Sequence, residues 1–387
     1  MAKVGFKKRV EILLKTNRFV QRLYSFFGST FFRFVGLFTK QDKKLILFNS
    51  FSGDLINDSP LALYNYISKN YPDYKCVWAV NDPKKGEGYN FVIIDTFKYF
   101  KTALKARYWV TNVNIERGLH FKKRKTFYLN TWHGTAIKKI GNLVKGRKDY
   151  NFKNMNLLCS DGDFMKDIFV KCFKARKENI FNCGRPREDE LLFKDKAQEC
   201  ERVRKQLGIS NDKIVILYAP TWEDTHGRED ILNVKLDLNE LKNRLGDKYV
   251  ILLRAHHLSK QVSQIDYNDQ LINVSSYPNI NDLYFASDIL ISDYSSCFFD
   301  FALLGKPMLC FAPTYDDYVT NRGVFIDMRE DFPFGVIDDF EILVKDILDI
   351  SDGHVCDKQI EFMKKYVDRP TSSATKFCAE KMLGALK

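Results

Sequence analysis

The sequence predicts an α/β protein built from two Rossmann-like domains that face each other across a cleft. Three observations carry this. From Lys43 onward, short and nearly continuous apolar runs alternate with amphipathic helical stretches, the mark of parallel sheets covered on both faces. The alternation occurs twice, with a break near 183–196. The chain has 387 residues, 45% of them hydrophobic, which is enough for two cores. The divisions are an amphipathic basic segment over 1–42, a first domain over 43–190, a second over 191–370, and a C-terminal helix over 371–387.

Each element follows in order. Residues 45–48 form a buried strand, followed by a loop and a helix over 60–70, with Pro60 at its first position and Ser59 as cap. Strands over 76–80 and 91–94, a helix over 98–106 and a strand over 108–111 come next. The strand over 127–130 runs into Thr131-Trp132-His133-Gly134-Thr135. The strand over 157–160 is followed by Asp161, read as the cap of a helix over 163–173. In the second half, strands over 214–218, 249–253, 289–291 and 307–311 alternate with helices, among them 238–245 and a helix from Ser296 to about 304. A last amphipathic helix covers 373–386. Ligands of such sheets sit beyond the carboxyl ends of the strands, and the motif-like polar residues fall there.

Charge is unevenly placed. The net charge is +12, yet residues 1–44 and 116–148 each carry a net +9. Two basic patches on an otherwise mildly acidic chain imply two anionic partners, or one anionic surface touched twice. In the first patch, Lys15, Arg18, Arg22, Ser25, Ser29 and Arg33 recur at helical spacing, opposite a face of Leu23, Phe27, Phe31, Val35 and Phe38. Gly28 and Gly36 are expected to break this helix into pieces. A helix of this kind suits the headgroup plane of an anionic membrane, with Lys15, Arg18, Arg22 and Arg33 as contacts; the alternative is a helix packed on its own domain. Arg22 and Arg33 interrupt the apolar stretch 19–38, so it does not span a bilayer. The N-terminus does not have the form of a signal peptide.

Nine cysteines are scattered without a C-x-x-C pair, the pattern of reduced, mostly buried thiols in a cytosolic protein. There is no G-x-G-x-x-G after a strand, no P-loop and no H-E-x-x-H, which argues against nicotinamide cofactors and P-loop hydrolysis. No metal ligand and no permanently bound cofactor are assigned. Asp161-Gly162-Asp163 has the form of a metal–nucleotide D-x-D, but its place after a strand favours a cap. No nucleic-acid-binding module is present.

His133 follows a strand in a tight turn. Gly134 allows close backbone approach to a ligand, and Trp132, Thr135, Lys138 and Lys139 flank it. A near-neutral His beside phosphate-holding cations can act as a general base, the alternative being a structural loop His. Arg254 and His256 end a strand in the other half, where they could grip a phosphate; His257 reads as the buried one of the pair. Ser292, Asp293, Ser295 and Ser296 precede a helix and suit either phosphate binding or capping. Asp300, one turn later, could reach a ribose hydroxyl or a His.

In this order the pieces resemble the CDP-glycerol glycerophosphotransferases of teichoic-acid and capsule synthesis. The matching segments are Leu47-Phe48-Asn49-Ser50-Phe51, Asp58-Ser59-Pro60, Asn130-Thr131-Trp132-His133-Gly134-Thr135, Gly184-Arg185-Pro186, Tyr218-Ala219-Pro220-Thr221-Trp222, Leu253-Arg254-Ala255-His256, Ser292-Asp293-Tyr294-Ser295-Ser296, Lys306-Pro307 and Arg322-Gly323. The resemblance implies a glycosyltransferase-B-like (GT-B-like) fold, a CDP-glycerol or CDP-ribitol donor, a lipid-linked saccharide or polymer acceptor, and a peripheral place at the cytoplasmic membrane face. It implies that His133 and His256 are the catalytic pair, with Pro220, Thr221, Arg254, Ser292, Asp293, Ser295, Ser296 and Asp300 at the donor. The sequence departs from the family at Ala136, where Pro is usual, and at Glu223, where Arg is frequent. A nucleotide-sugar glycosyltransferase on the same fold, or a non-catalytic basic membrane-binding protein, are the competing readings.

Overall fold

A computed structural model describes residues 17–144, 150–221, 236–255, 265, 267–350, 356–367 and 371–384. Two parallel sheets organise the chain. The first has seven strands: β1 (Asp42–Asn49), β2 (Lys75–Val80), β3 (Phe91–Ile93), β4 (Ala106–Thr111), β5 (Phe127–Asn130), β6 (Leu157–Ser160) and β7 (Ile180–Asn182), in the order β3-β2-β1-β4-β5-β6-β7. The second has six: β8 (Ile214–Tyr218), β9 (Tyr249–Leu253), β10 (Leu271–Asn273), β11 (Ile289–Ser292), β12 (Met308–Phe311) and β13 (Val336–Ile337), in the order β10-β9-β8-β11-β12-β13. Both orders run outward from a central pair and reverse direction there, between β1 and β4 and between β8 and β11. In such doubly wound sheets the ligand crevice opens at that reversal. The GT-B-like expectation for the fold holds.

Burial explains the strands. Ile46, Leu47, Phe48, Trp109 and Val110 are fully buried, as are Ile216, Leu217, Ile251 and Leu252, because helices cover both faces of each sheet. The helix after β1 runs Asp58–Asn70 with Asn57, not Ser59, at the cap position. The helix after β6 begins at Asp163 with Gly162 at its cap, so Asp161 does not cap it. The last helix, Ala374–Leu383, is capped by Ser373, whose side chain accepts from the Lys376 N–H. That helix returns to the first domain, where Cys378, Ala379 and Met382 join the core of Ile46, Trp78 and Leu129.

The N-terminal helix, Arg18–Phe38, is one unbroken element capped by Asn17. The two glycines expected to interrupt it are instead where it lies closest to the domain. A Cβ on Gly28 would meet the Leu119 side chain at 2.9 Å, and one on Gly36 would meet Leu104 at 3.1 Å. Phe32 stacks on Phe100 at 4.1 Å. Two members of the expected basic face are also used inward: Ser29 Oγ accepts from the His120 N–H, and Arg33 Nε donates to the His120 carbonyl. What faces out is aromatic. Phe19, Phe26, Phe27, Phe31, Phe34 and Phe38 are all more than half exposed. Arg22 is exposed, and Lys15 lies outside the described residues. No helix among the described residues is long and apolar enough to cross a membrane.

Candidate active site

The site begins at the reversal point of the first sheet. Asn112 lies just beyond β4, and its side-chain oxygen accepts from the Phe51 N–H at 2.9 Å, which joins the ends of β1 and β4. Its backbone oxygen lies 2.8 Å from His133 Nδ1. A carbonyl can only accept, so Nδ1 carries the proton and Nε2 keeps its lone pair. Trp132 stacks against the ring with centroids 4.2 Å apart, and Phe51 closes another side at 5.9 Å. The ring keeps partial surface access but lies deep among protein atoms, and this desolvation lowers its pKa below 6.5; the Asn112 carbonyl and Asp58 oppose the shift, and Arg187 and Arg185 reinforce it. A neutral imidazole with a free Nε2 at pH 7 is equipped as a general base.

The backbone around this ring is strained. Phe51, Ser52, Asp58 and Trp132 all have left-handed φ, between 43° and 61°. Such residues cost free energy and persist where the surroundings over-determine them, commonly at functional sites. Here Asn130 accepts from the Trp132 N–H at 2.7 Å, and the Trp132 ring is wedged among Phe152, Phe169 and Phe173.

Two arginines on the segment that crosses between the sheets tie the site together. Arg187 donates to the His133 carbonyl at 3.0 Å, to Asp58 at 2.7 Å and to Asp300 at 2.8 Å. Arg185 pairs with Asp161 at 2.8 Å, Glu188 at 2.6 Å and Asp300 at 3.4 Å. Burial acts to raise the Asp58 pKa, but the Arg187 charge and the Ser59 N–H outweigh it and hold the carboxyl below its ordinary value. Glu188 is the carboxyl that yields: burial, opposed by Arg185 and reinforced by Asp161 and Asp300, pushes it up to about 8. Arg187 Nε and Asp161 Oδ1 are buried without a partner among the described residues.

The two domains meet directly at this point. A Cβ on Gly134 would collide with Ser296 Oγ and stand 2.7 Å from its Cβ, so only glycine permits the contact. The chain beyond His133 then pairs with the second domain: Lys139 N–H donates to Gly323 O at 3.0 Å, and Phe325 N–H to Ile137 O at 2.7 Å. A cavity of about 460 Å³ in the second domain is lined by Tyr315, Val319, Val324, Phe325 and Arg329, among others.

At the reversal point of the second sheet, Asp293 accepts from the Thr221 N–H at 2.8 Å and the Tyr294 N–H at 2.7 Å, so it fixes the Pro220-Thr221 turn. Arg254, just past β9, donates to the carbonyls of Tyr277 at 2.7 Å and Val274 at 3.5 Å. It makes no ion pair among the described residues, and desolvation lowers its pKa. A desolvated cation whose described partners are carbonyls is suited to receive an anion.

Several sequence expectations change. His133, Gly134, Ser296 and Asp300 do converge. Thr135 is not free to hold a phosphate, since its hydroxyl donates to Asp161 and accepts from Arg185. Trp132 is a buried packing residue for the His133 ring. Ser292 is fully buried and bonded to the Ala219 carbonyl at 2.6 Å. The Asp300 carboxylate is engaged by the two arginines. Ser295 Oγ accepts from the Cys297 N–H at 3.3 Å, while Ser296 holds the cap position of the helix Cys297–Ala302. Asp161 and Asp163 do not form a metal-holding pair: Asp161 meets Arg185, and Asp163 accepts from Asn182. Lys138 is half-buried and Lys139 exposed along the seam. His256, His257 and Glu223 lie outside the described residues. Sequence reasoning missed Arg187, which has no local signature, and gave Asp58 no role.

The comparisons with known proteins fit this geometry. The family model described as CDP-Glycerol:Poly(glycerophosphate) glycerophosphotransferase matches residues 30–370. A teichoic acid poly(glycerol phosphate) polymerase of Bacillus spizizenii is 32% identical, covering 97% of this chain and 99% of that protein. A teichoic acid glycerol-phosphate transferase of Staphylococcus aureus is 34% identical, over 87% of this chain and 90% of its own length. The poly(glycerol phosphate) polymerase of Staphylococcus epidermidis is 35% identical but longer, and this chain spans 43% of it. A structure of the wall teichoic acid polymerase TagF matches with a TM-score of 0.81 and 29% identity, over 97% of this chain and 98% of that one.

Proposed function

Because this chain belongs to the CDP-glycerol:poly(glycerophosphate) glycerophosphotransferase family, we propose that His133 removes the proton from an acceptor hydroxyl as that oxygen attacks the glycerol-bearing phosphorus of CDP-glycerol. The new P–O bond forms, the bond from that phosphorus to the bridging oxygen breaks, CMP leaves with the bridging oxygen, and the proton passes to His133 Nε2. The observation that carries this is the Nδ1 contact with the Asn112 carbonyl, which leaves Nε2 as the basic atom. Arg254, with no acidic partner among the described residues, faces the donor's diphosphate, and His256 acts with it. Positioning and charge stabilisation supply most of the acceleration.

Glycerol is favoured over ribitol because the family description and the relatives above are for glycerol phosphate. The acceptor is a teichoic-acid-type chain, and its lipid-linked form would be met at an anionic membrane surface. The exposed phenylalanine face supports that placement, as does the basic segment 117–125, which docks beneath the same helix through His120 and Lys123. Screening CDP-glycerol, CDP-ribitol and UDP-sugars tests the reaction. Release of CMP from CDP-glycerol is expected; turnover of UDP-sugars alone, with release of UDP, would refute it.

A further inference from the structure

Outside the active site, the fold gathers three cysteines that are far apart in the chain. Cys159 is on β6, Cys183 lies just past β7, and Cys378 is on the C-terminal helix Ala374–Leu383. Their sulfurs all lie within 4.8 Å of one another, with Cys159 and Cys378 at 3.4 Å. Cys159 and Cys378 are buried, and Cys183 is partly exposed, which gives an entry path. Val110, Leu129 and Phe377 lie in the same core as Cys159 and Cys378, and the Asp161 and Asp189 carboxylates are near enough to act on Cys183 and Cys378.

We propose that Cys159, Cys183 and Cys378 form a thiolate site for a thiophilic closed-shell cation of the Zn²⁺ type. Sulfurs bound to one such ion at about 2.3 Å stand roughly 4 Å apart, close to the spacing here. A disulfide needs sulfurs at about 2 Å and would strand the third cysteine. Sulfur-only donor sets select Zn²⁺ or Cu⁺ over Mg²⁺ and Ca²⁺. Three protein ligands leave a fourth position for water, which Cys183's side of the cluster can admit.

The position gives the ion a structural role. Cys159 and Cys183 each stand two residues before a member of the Asp161–Arg185 ion pair. The helix carrying Cys378 is held at its start by Asp189, which accepts from Ser373 Oγ at 2.6 Å and from the N–H groups of Ala374 and Thr375 at 2.9 Å. An ion at the three sulfurs would fasten the other flank of that helix to the first sheet, and so brace the crossing segment that bears Arg185 and Arg187. Binding would displace thiol protons, so affinity rises with pH.

The test uses the full chain, reduced and stripped with a chelator. Titration with Cd²⁺ is expected to give a thiolate-to-metal charge-transfer band that saturates at one ion per chain. Added Zn²⁺ should suppress the band and raise the thermal midpoint. Cys183→Ser and Cys378→Ala should each lose the band while CMP release by the metal-free protein stays within twofold of the parent. Native mass spectrometry of the unaltered chain, with and without Zn²⁺, reads occupancy independently of any variant. Absence of a one-to-one band, or its persistence in both variants, overturns the proposal. So does a thiol count two short of nine in the denatured, unreduced protein, since that would mean a disulfide.

Discussion

The turn after β5 and Arg254, just past β9, use their polar groups in opposite ways. Around His133 nearly every group is committed within the protein. The ring is held by Asn112 and Trp132, its carbonyl by Arg187, and Arg187 by Asp58 and Asp300. On the facing side, Arg254 is a cation held by carbonyls, without an acidic partner among the described residues. The first side is organised before any substrate arrives, and the second has charge left to be balanced by one. A base must be aimed and neutral in advance, whereas a diphosphate brings its own counter-charge.

The largest expected effect is on the organised side. His133→Ala should lower CMP release by about 10³-fold, the scale of a lost general base, while CDP-glycerol binding stays within about twofold of the parent. Substantial residual release would remove His133 from the reaction. In the unaltered enzyme, kcat/KM should rise with pH through an apparent pKa below 6.5 and then level off. The sign follows from burial: the folded site disfavours the imidazolium, so the active neutral form persists to lower pH than in free His. By linkage, the stability contributed by this neutral ring is present above pH 6.5 and lost as pH falls through the depressed value.

Arg187→Met should destabilise the fold by about 3–5 kcal/mol in urea unfolding, because Asp58 is left buried without its cation and Asp300 keeps only the longer Arg185 contact. Adding Asp58→Asn and Asp300→Asn to that variant should recover much of the loss. A cost below about 1 kcal/mol for the single change would show that the network does not hold the domains.

Gly134→Ala should reduce kcat/KM by about 10²-fold, since the added methyl must push the His133 loop away from Ser296. Ser296→Gly in the same chain should restore part of it; no restoration would place the strain elsewhere. Arg254→Gln acts on the other side of the comparison. It should weaken CDP-glycerol by about 10- to 100-fold, the worth of a charge-assisted contact, with little change in kcat. A fall in kcat alone would contradict the division drawn between the two sides.

The smallest effect on the chemistry belongs to the outer helix. Phe31→Glu with Phe34→Glu should leave CMP release with a soluble acceptor unchanged. Sedimentation with anionic phospholipid vesicles should fall by at least about 10-fold, as two inserted rings become charges. Equal vesicle binding by parent and variant would exclude this face as the membrane contact.

Much of this was legible in order along the chain. Every strand read from an apolar run is present within three residues at either end, the short edge strands β7, β10 and β13 were not read, and the helices over 163–173 and 238–245 match their expected spans. The period of a strand or helix is a local property, so it survives without knowledge of the neighbours. The turn after β5 was legible for the same reason, since a His-Gly at a strand end is a local signal. Partners were not legible. Asp161 looked like a cap because it precedes a helix, yet a buried arginine from a later segment claims it. Ser29 and Arg33 looked like a solvent-facing basic stripe because helical spacing cannot say which stripe meets the domain.

By itself, then, the sequence determined two doubly wound sheets, the strand-end turn that carries His133, and a helix with unlike faces. These depend on patterns spanning a few residues. Only the tertiary structure decided that Arg187 would clamp His133's loop to Asp300, that Gly134 would meet Ser296, and that three scattered cysteines would share one pocket. Those contacts are set by strand order and by the return of the last helix to the first domain, which are long-range outcomes of packing that no local pattern encodes.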